Sequence, residues 1–186
     1  MKKIINVLKK GGIIIYPTET AYALGCDITN LKAIKKIYKL KKRIKKKKLT
    51  AIVSDITMAK KFGKISKHEE KLIKKFMPGP LTLIVPKKKK FPDLANTEFV
   101  FRISSNRTAR KITRLLENPI ISTSANLSGQ KPIYNISKIK KQFEGKVNEI
   151  IDSGNLKKQK VSTIIKNGKI IRRGPIKKKD IEKVLK

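Results

Sequence analysis

An apolar run ends and small polar residues or an arginine follow in four places: IIIYPTET (Ile13–Thr20), FRIS (Phe101–Ser104), IISTSAN (Ile120–Asn126) and VSTII (Val161–Ile165). In open sheets, ligands gather at strand ends. Hydroxyls and backbone N–H groups at such ends can hold a carboxylate or phosphate without adding charge. The densest cluster is NPIISTSANLSGQKP (Asn118–Pro132), which carries Ser122, Thr123, Ser124, Asn126 and Ser128. One Ser/Thr run after a strand reads first as a helix cap. Taken together, and beside Lys41, Arg43, Arg102 and Arg172, the clusters read as a site of hydroxyls and cations. Such a site positions anionic substrates and neutralises charge that develops on them.

Other chemistries find little support. There is no glycine-rich loop ending in Gly-Lys-Ser/Thr and no dinucleotide fingerprint. His68 is the one histidine and sits in a polar stretch, KHEEK, which reads as surface. Cys26 is the one cysteine, so an intrachain disulfide and a thiolate zinc cluster are both excluded. It has no histidine nearby in sequence, which argues against a thiol nucleophile. Asp55, Asp93 and Asp152 sit in turn-like contexts rather than as an acid–base pair. No metal held by the protein itself is expected.

The elements that must position these groups follow from periodicity and punctuation. Apolar spacing predicts a helix over Met1–Lys10, ended by Gly11-Gly12, and a short strand over Ile13–Tyr16, stopped by Pro17. Asn30 can cap a helix running through Leu40. Strands are expected at Leu49–Val53, Leu81–Val85, Phe99–Ile103, Ile120–Ser122, Glu149–Ile151, Val161–Ile165 and Lys169–Arg172. Helices are expected at Ile56–Phe62, Lys67–Phe76, Arg107–Leu116, Ile136–Phe143 and Lys178–Leu185, with Pro78-Gly79-Pro80 a firm break. Strands and helices mix without strict alternation. This predicts one α/β or α+β domain with a mixed sheet over residues 1–186.

The net charge is +35, from 48 basic and 13 acidic residues. A footprint of this size points to a polyanion partner. Yet only 7 of the 48 cations are arginine, against 29 isoleucines and 8 alanines in the chain, a pattern that fits codon bias in an AT-rich genome. The arginines are then the informative cations. The lysine tetrads Lys45–Lys48 and Lys87–Lys90 read as exposed loops. Aromatics are 5% and do not pair with the basic runs, so recognition of single strands by stacking is poorly supported. No stretch approaches 18 apolar residues and the N-terminus lacks a cleavage-site pattern, so a cytoplasmic protein without a membrane span is expected.

The chain resembles the YrdC-type threonylcarbamoyl-AMP synthases over nearly its full length. The resemblance is carried by YPTETAYALGCD (Tyr16–Asp27), LKKR (Leu40–Arg43), MPGPLTLIV (Met77–Val85), FRIS, STSANLSG (Ser122–Gly129), IDSG (Ile151–Gly154), VSTII and RRG (Arg172–Gly174). It looks like the short bacterial form, without the extra C-terminal domain of longer relatives. The resemblance implies a single domain with a twisted mixed β-sheet, flanking helices and a deep basic groove. It implies an enzyme that joins L-threonine, bicarbonate or CO2, and ATP into threonylcarbamoyl-AMP and pyrophosphate. Mg2+ would accompany the ATP, and a tRNA threonylcarbamoyl-transferase complex would accept the product for the t6A37 modification of tRNAs reading codons that begin with A.

Carried onto this sequence, the resemblance implies that Thr20, Arg102, Ser122 and Ser162 contact threonine. Arg43, Lys47, Ser124, Asn126 and Arg172 would contact ATP, and Lys41 with Arg43 would offset phosphate charge during the reaction. The chain departs from the pattern at Ala23, where glycine is usual, at Ile44 and Lys48 beside the Lys-x-Arg pair, and at Ser104, where proline is common. The main rival is a non-catalytic module of the same fold that holds double-stranded RNA or tRNA on a basic surface. A carbamoyl-transfer domain of the hydrogenase-maturation kind is a third possibility, but such proteins carry cysteine-rich domains that are missing here.

Overall fold

The computed structural model describes residues 1–42, 48–88 and 97–186. Arg43, Ile44, Lys45, Lys46, Lys47, Lys89, Lys90 and Asp93 lie outside the described residues. In chain order the elements are α1 (Lys2–Lys9), β1 (Ile14–Pro17), β2 (Tyr22–Gly25), α2 (Leu31–Leu40), β3 (Thr50–Ile52), α3 (Ile56–Phe62), α4 (Lys67–Phe76) and β4 (Leu81–Pro86). There follow β5 (Glu98–Arg102), α5 (Arg107–Leu116), β6 (Ile120–Ser124), α6 (Ile136–Phe143), β7 (Glu149–Ile150), β8 (Thr163–Lys166), β9 (Lys169–Arg172) and α7 (Lys178–Leu185). Helix starts are set by short polar side chains that satisfy first-turn amides. Asn30 accepts from the Ala33 N–H at 2.9 Å, and Asp55, Asn106 and Asn135 cap α3, α5 and α6 in the same way. Ser66 and Glu69 form a reciprocal capping box on α4.

The described strands form one nine-stranded sheet in the order β7-β1-β2-β6-β3-β5-β4-β8-β9. The β1–β7, β3–β5 and β4–β8 pairs are parallel; the other neighbours are antiparallel. The mixed sheet expected from the sequence is therefore present. β2 is an addition: its four residues YALG pair with β1 on one side and β6 on the other, from Ile14↔Gly25 to Leu24↔Thr123. β6 also runs two residues beyond its expected end, to Ser124, while β8 starts two residues later, at Thr163.

Alternation along the strands divides the core in two. Ile15, Tyr22, Leu24, Ala51, Val53, Phe99, Phe101 and Ile121 join a large cluster with α2, α3, α4, α6 and α7. Their neighbours Ile14, Tyr16, Ala23, Ile52 and Ile120 turn to the opposite face and pack with Ile5 and Leu8 of α1 and Ala109, Ile112 and Leu116 of α5. By the same alternation, Thr50, Thr82, Arg102, Ser122, Ser124 and Ser162 point to this second face. The face is thus apolar where α1 and α5 cover it and polar beyond their reach.

Candidate functional site

The polar part of the second face forms the floor of a cavity of about 220 Å³, lined by Thr20, Arg102, Ser122, Ser124, Ser162 and Arg172 among others. All four threonine-site residues expected from the sequence, and two of the ATP-site residues, therefore come together. Register explains the assembly: Ser122 pairs with Thr50, and Ser124 with Ala23, on the strands flanking β6. The Ala23 methyl stands in the cavity wall at the position where the resemblance carries glycine.

The turn joining β1 to β2 presents Thr20. The Thr18 Oγ1–H donates to the Ala21 carbonyl at 2.7 Å, and the same oxygen accepts the amides of Thr20 and Ala21 at 3.2 Å. With the Thr18 proton so committed, the hydroxyl contact of 3.0 Å between Thr18 and Thr20 is donated by Thr20. Thr20 Oγ1 then accepts from Arg102 Nη2 at 3.3 Å. Arg102 is 6% exposed and its Nη1 meets Glu19 Oε1 at 3.0 Å. A buried guanidinium needs such a partner.

Arg172 enters from β9. Its Nε and Nη2 donate to the Ser162 carbonyl at 3.1 and 2.8 Å, and Nη2 also reaches the Ser162 hydroxyl at 3.0 Å. Ser162 in turn shares a 2.8 Å hydroxyl contact with Thr82. Burial, and then the neighbouring charge of Arg102, lower the Arg172 pKa, although a guanidinium remains charged. Two cations that repel each other across a polar cavity make a site that favours an anion. Gly174 is required behind them: a Cβ there would stand 2.6 Å from the Val161 carbonyl oxygen.

Lys41, at the end of α2, is 1% exposed and lies behind the Ser-x-Asn segment. Its Nζ donates to the Ser124 carbonyl at 2.5 Å, the Asn126 carbonyl at 2.6 Å and Asn126 Oδ1 at 3.1 Å. Ser124 Oγ–H also donates to Asn126 Oδ1, at 2.5 Å. Lys41 thus clamps the segment that carries two proposed nucleotide ligands. Asn126 is 5% exposed and does not line the cavity, so its contribution here is to shape the loop. Arg43 and Lys47 lie outside the described residues.

Sequence reasoning did not single out Thr18, Glu19 or Thr82. A buried arginine next to a strand end was the signal for an acidic partner, and the glutamate of PTET is the candidate beside Thr20. Burial, followed by the charge of Asp27, pushes the Cys26 thiol well above its ordinary pKa, and His68 is exposed. Burial likewise raises the Tyr16 phenol, against a hydrogen bond with Ser122. No group of three or more His, Cys, Asp or Glu able to hold a metal occurs among the described residues. No helix among them is long and apolar enough to cross a membrane.

Residues 6–174 match the family model Sua5_yciO_yrdC, described as "Telomere recombination". A protein of Methanocaldococcus jannaschii that bears the name threonylcarbamoyl-AMP synthase is 37% identical over 170 residues, which cover 89% of this chain and 81% of the relative. The crystal structure of P. abyssi Sua5 complexed with L-threonine superposes with a TM-score of 0.92 at 30% identity, covering 99% of this chain. The chain spans 56% of that longer protein. E. coli YciO superposes with a TM-score of 0.83 at 28% identity, over 92% of this chain and 87% of the other.

Proposed function

The chain belongs to the Sua5–YciO–YrdC family, and from that premise we propose that it is an L-threonylcarbamoyl-adenylate synthase, a nucleotidyltransferase that consumes L-threonine, bicarbonate or CO2, and ATP. The observation that carries the reading is the convergence of Arg102, Arg172, Thr20, Ser122 and Ser162 on one cavity. Two guanidiniums suit a carboxylate and a triphosphate, and the hydroxyls suit the threonine side chain.

In this reading the threonine carboxylate lies on Arg102, with Thr20, Ser122 and Ser162 around the substrate hydroxyl. The neutral threonine amine attacks CO2, forming an N–C bond as one C=O π bond opens onto oxygen, and a proton leaves the nitrogen to solvent to give a carbamate. A carbamate oxygen attacks the α-phosphorus of ATP, the bond to the bridging oxygen breaks, and pyrophosphate leaves with that electron pair. Arg172 and Ser124 contact the nucleotide, joined by Arg43 and Lys47 on the strength of the motif. Lys41 and Arg43 offset the charge that accumulates on the phosphates, Lys41 from behind Ser124 and Asn126. No carboxylate lines the described cavity wall. With no carboxylate there to hold it, Mg2+ would be held by the triphosphate oxygens and would supply charge neutralisation there. The product passes to a tRNA threonylcarbamoyl-transferase complex in the cytoplasm for t6A37 formation.

The test is pyrophosphate release from ATP by the purified protein, with and without threonine and bicarbonate. The reading expects release only when both are present. A net charge of +35 favours the rival reading, a basic module that binds tRNA or double-stranded RNA without catalysis. Salt-sensitive RNA retention with no threonine-dependent pyrophosphate would establish it.

A further inference from the structure

Arg102 can read a carboxylate only if something fixes which edge of its guanidinium faces the cavity. Glu19 has the means. It is not among the residues that line the cavity, although Thr18 and Thr20 on either side of it are. Its carboxylate therefore acts behind the guanidinium, not on a ligand. One oxygen meets Arg102 Nη1 at 3.0 Å, and the other accepts a hydrogen bond from the Ser104 hydroxyl. Ser104 is fully buried, and its oxygen accepts the Asn106 N–H at 3.2 Å, immediately before α5. The carboxylate thus has one oxygen in ion-pair contact with Arg102 at the end of β5 and the other hydrogen-bonded by Ser104 in the segment that follows.

This pairing uses one edge of Arg102 and spares the other. Nη2 makes only the long 3.3 Å bond to Thr20, while Nε is buried and without a hydrogen-bond partner. We propose that Glu19, held by Ser104, is a positioning residue that engages Nη1 of Arg102, leaves Nη2 to serve the cavity, and so makes the site select an amino acid with a free carboxylate. The inference rests on the reading of this cavity as an amino-acid site.

The experiment is calorimetric titration of L-threonine, L-threonine amide and ATP into the wild-type protein, Glu19→Gln and Ser104→Ala. Wild type should bind threonine in preference to the amide. Glu19→Gln should lose roughly 10- to 100-fold in threonine affinity, the scale of a charge-assisted hydrogen bond, while amide and ATP affinities change little. Ser104→Ala should move the threonine-to-amide ratio the same way, by roughly threefold to tenfold. Wild-type threonine affinity in Glu19→Gln overturns the inference. So does a loss shared equally by threonine, amide and ATP, which marks structural damage only. If Glu19→Gln does not fold, Ser104→Ala decides: an unchanged threonine-to-amide ratio overturns the proposal. A wild-type protein that binds neither threonine nor the amide overturns the amino-acid reading itself, and the inference with it.

Discussion

Ile120 and Ser122 stand two residues apart on β6 and point to the same side of the sheet, but they end in different surroundings. Ile120 is sealed in the cluster with α1 and α5; Ser122 lines the cavity. The same change occurs along β3 between Ile52 and Thr50. Strand alternation sends both residues of each pair to one face, and helix cover decides what each must be. Under the helices an uncompensated hydroxyl would cost stability. Beyond them an isoleucine would only narrow a ligand site. The switch from isoleucine to serine or threonine marks where the cover stops, and the site begins at that line.

The comparison can be tested by moving chemistry across the line. The largest effect is expected for Ile120→Ser, which removes a buried side chain and leaves a hydroxyl in an apolar cluster. Denaturant unfolding should show a loss of about 3 kcal/mol or more. Next is Lys41→Met, which strips the donor from Ser124 and Asn126. It should cost about 2–3 kcal/mol and weaken ATP binding by at least roughly tenfold, read by unfolding and by nucleotide titration.

The converse change on the open side should leave the fold alone. Ser122→Val should stay within about 1 kcal/mol of wild type in stability, because Tyr16 keeps its 3.0 Å bond to the Ile121 carbonyl. Its threonine Michaelis constant should rise roughly tenfold. Ser162→Ala should raise that constant more than the ATP one, by roughly threefold to tenfold, since Arg172 still holds the Ser162 carbonyl.

The α3 cap, outside the cavity lining, gives the smallest effect. Burial alone would raise the Asp55 pKa, but hydrogen bonds from the Met58 and Thr57 amides and the Ser54 hydroxyl outweigh it and hold the carboxyl below its usual value. A depressed carboxyl stabilises the fold above its unfolded pKa, and that contribution fades as pH falls through the folded value. Asp55→Ala should therefore cost about 1 kcal/mol at neutral pH and progressively less in acid, with no change in threonine or ATP binding.

Most helices were readable in the sequence because their apolar spacing and their caps agree; α3 to α7 begin and end where the pattern places them. β2 was not, since YALG is short and ends in glycine. Its strand character comes from pairing on both sides with β1 and β6. The ends of β6 and β8 moved for a related reason: a hydroxyl run looks like a loop until its neighbours supply a ladder. In the site, hydroxyl clusters and rare arginines at strand ends pointed to Arg102 and Arg172, and the family resemblance singled out Thr20, Ser122 and Ser162 within those clusters. Glu19 and Thr82 escaped because their roles depend on partners 83 and 80 residues away, Arg102 and Ser162 respectively. Lys41 was identified by its motif, but its three acceptors on the Ser-x-Asn segment are visible only in the fold.

Ligand binding belongs to the open part of this sheet face. The most direct measurement is two-dimensional amide NMR of the protein titrated with L-threonine. Signals of Thr20, Arg102, Ser122 and Ser162 should shift with saturable dependence on threonine, while those of α1 and α5 stay fixed. Shifts centred on α1 and α5, or no shifts at saturating threonine, would contradict it.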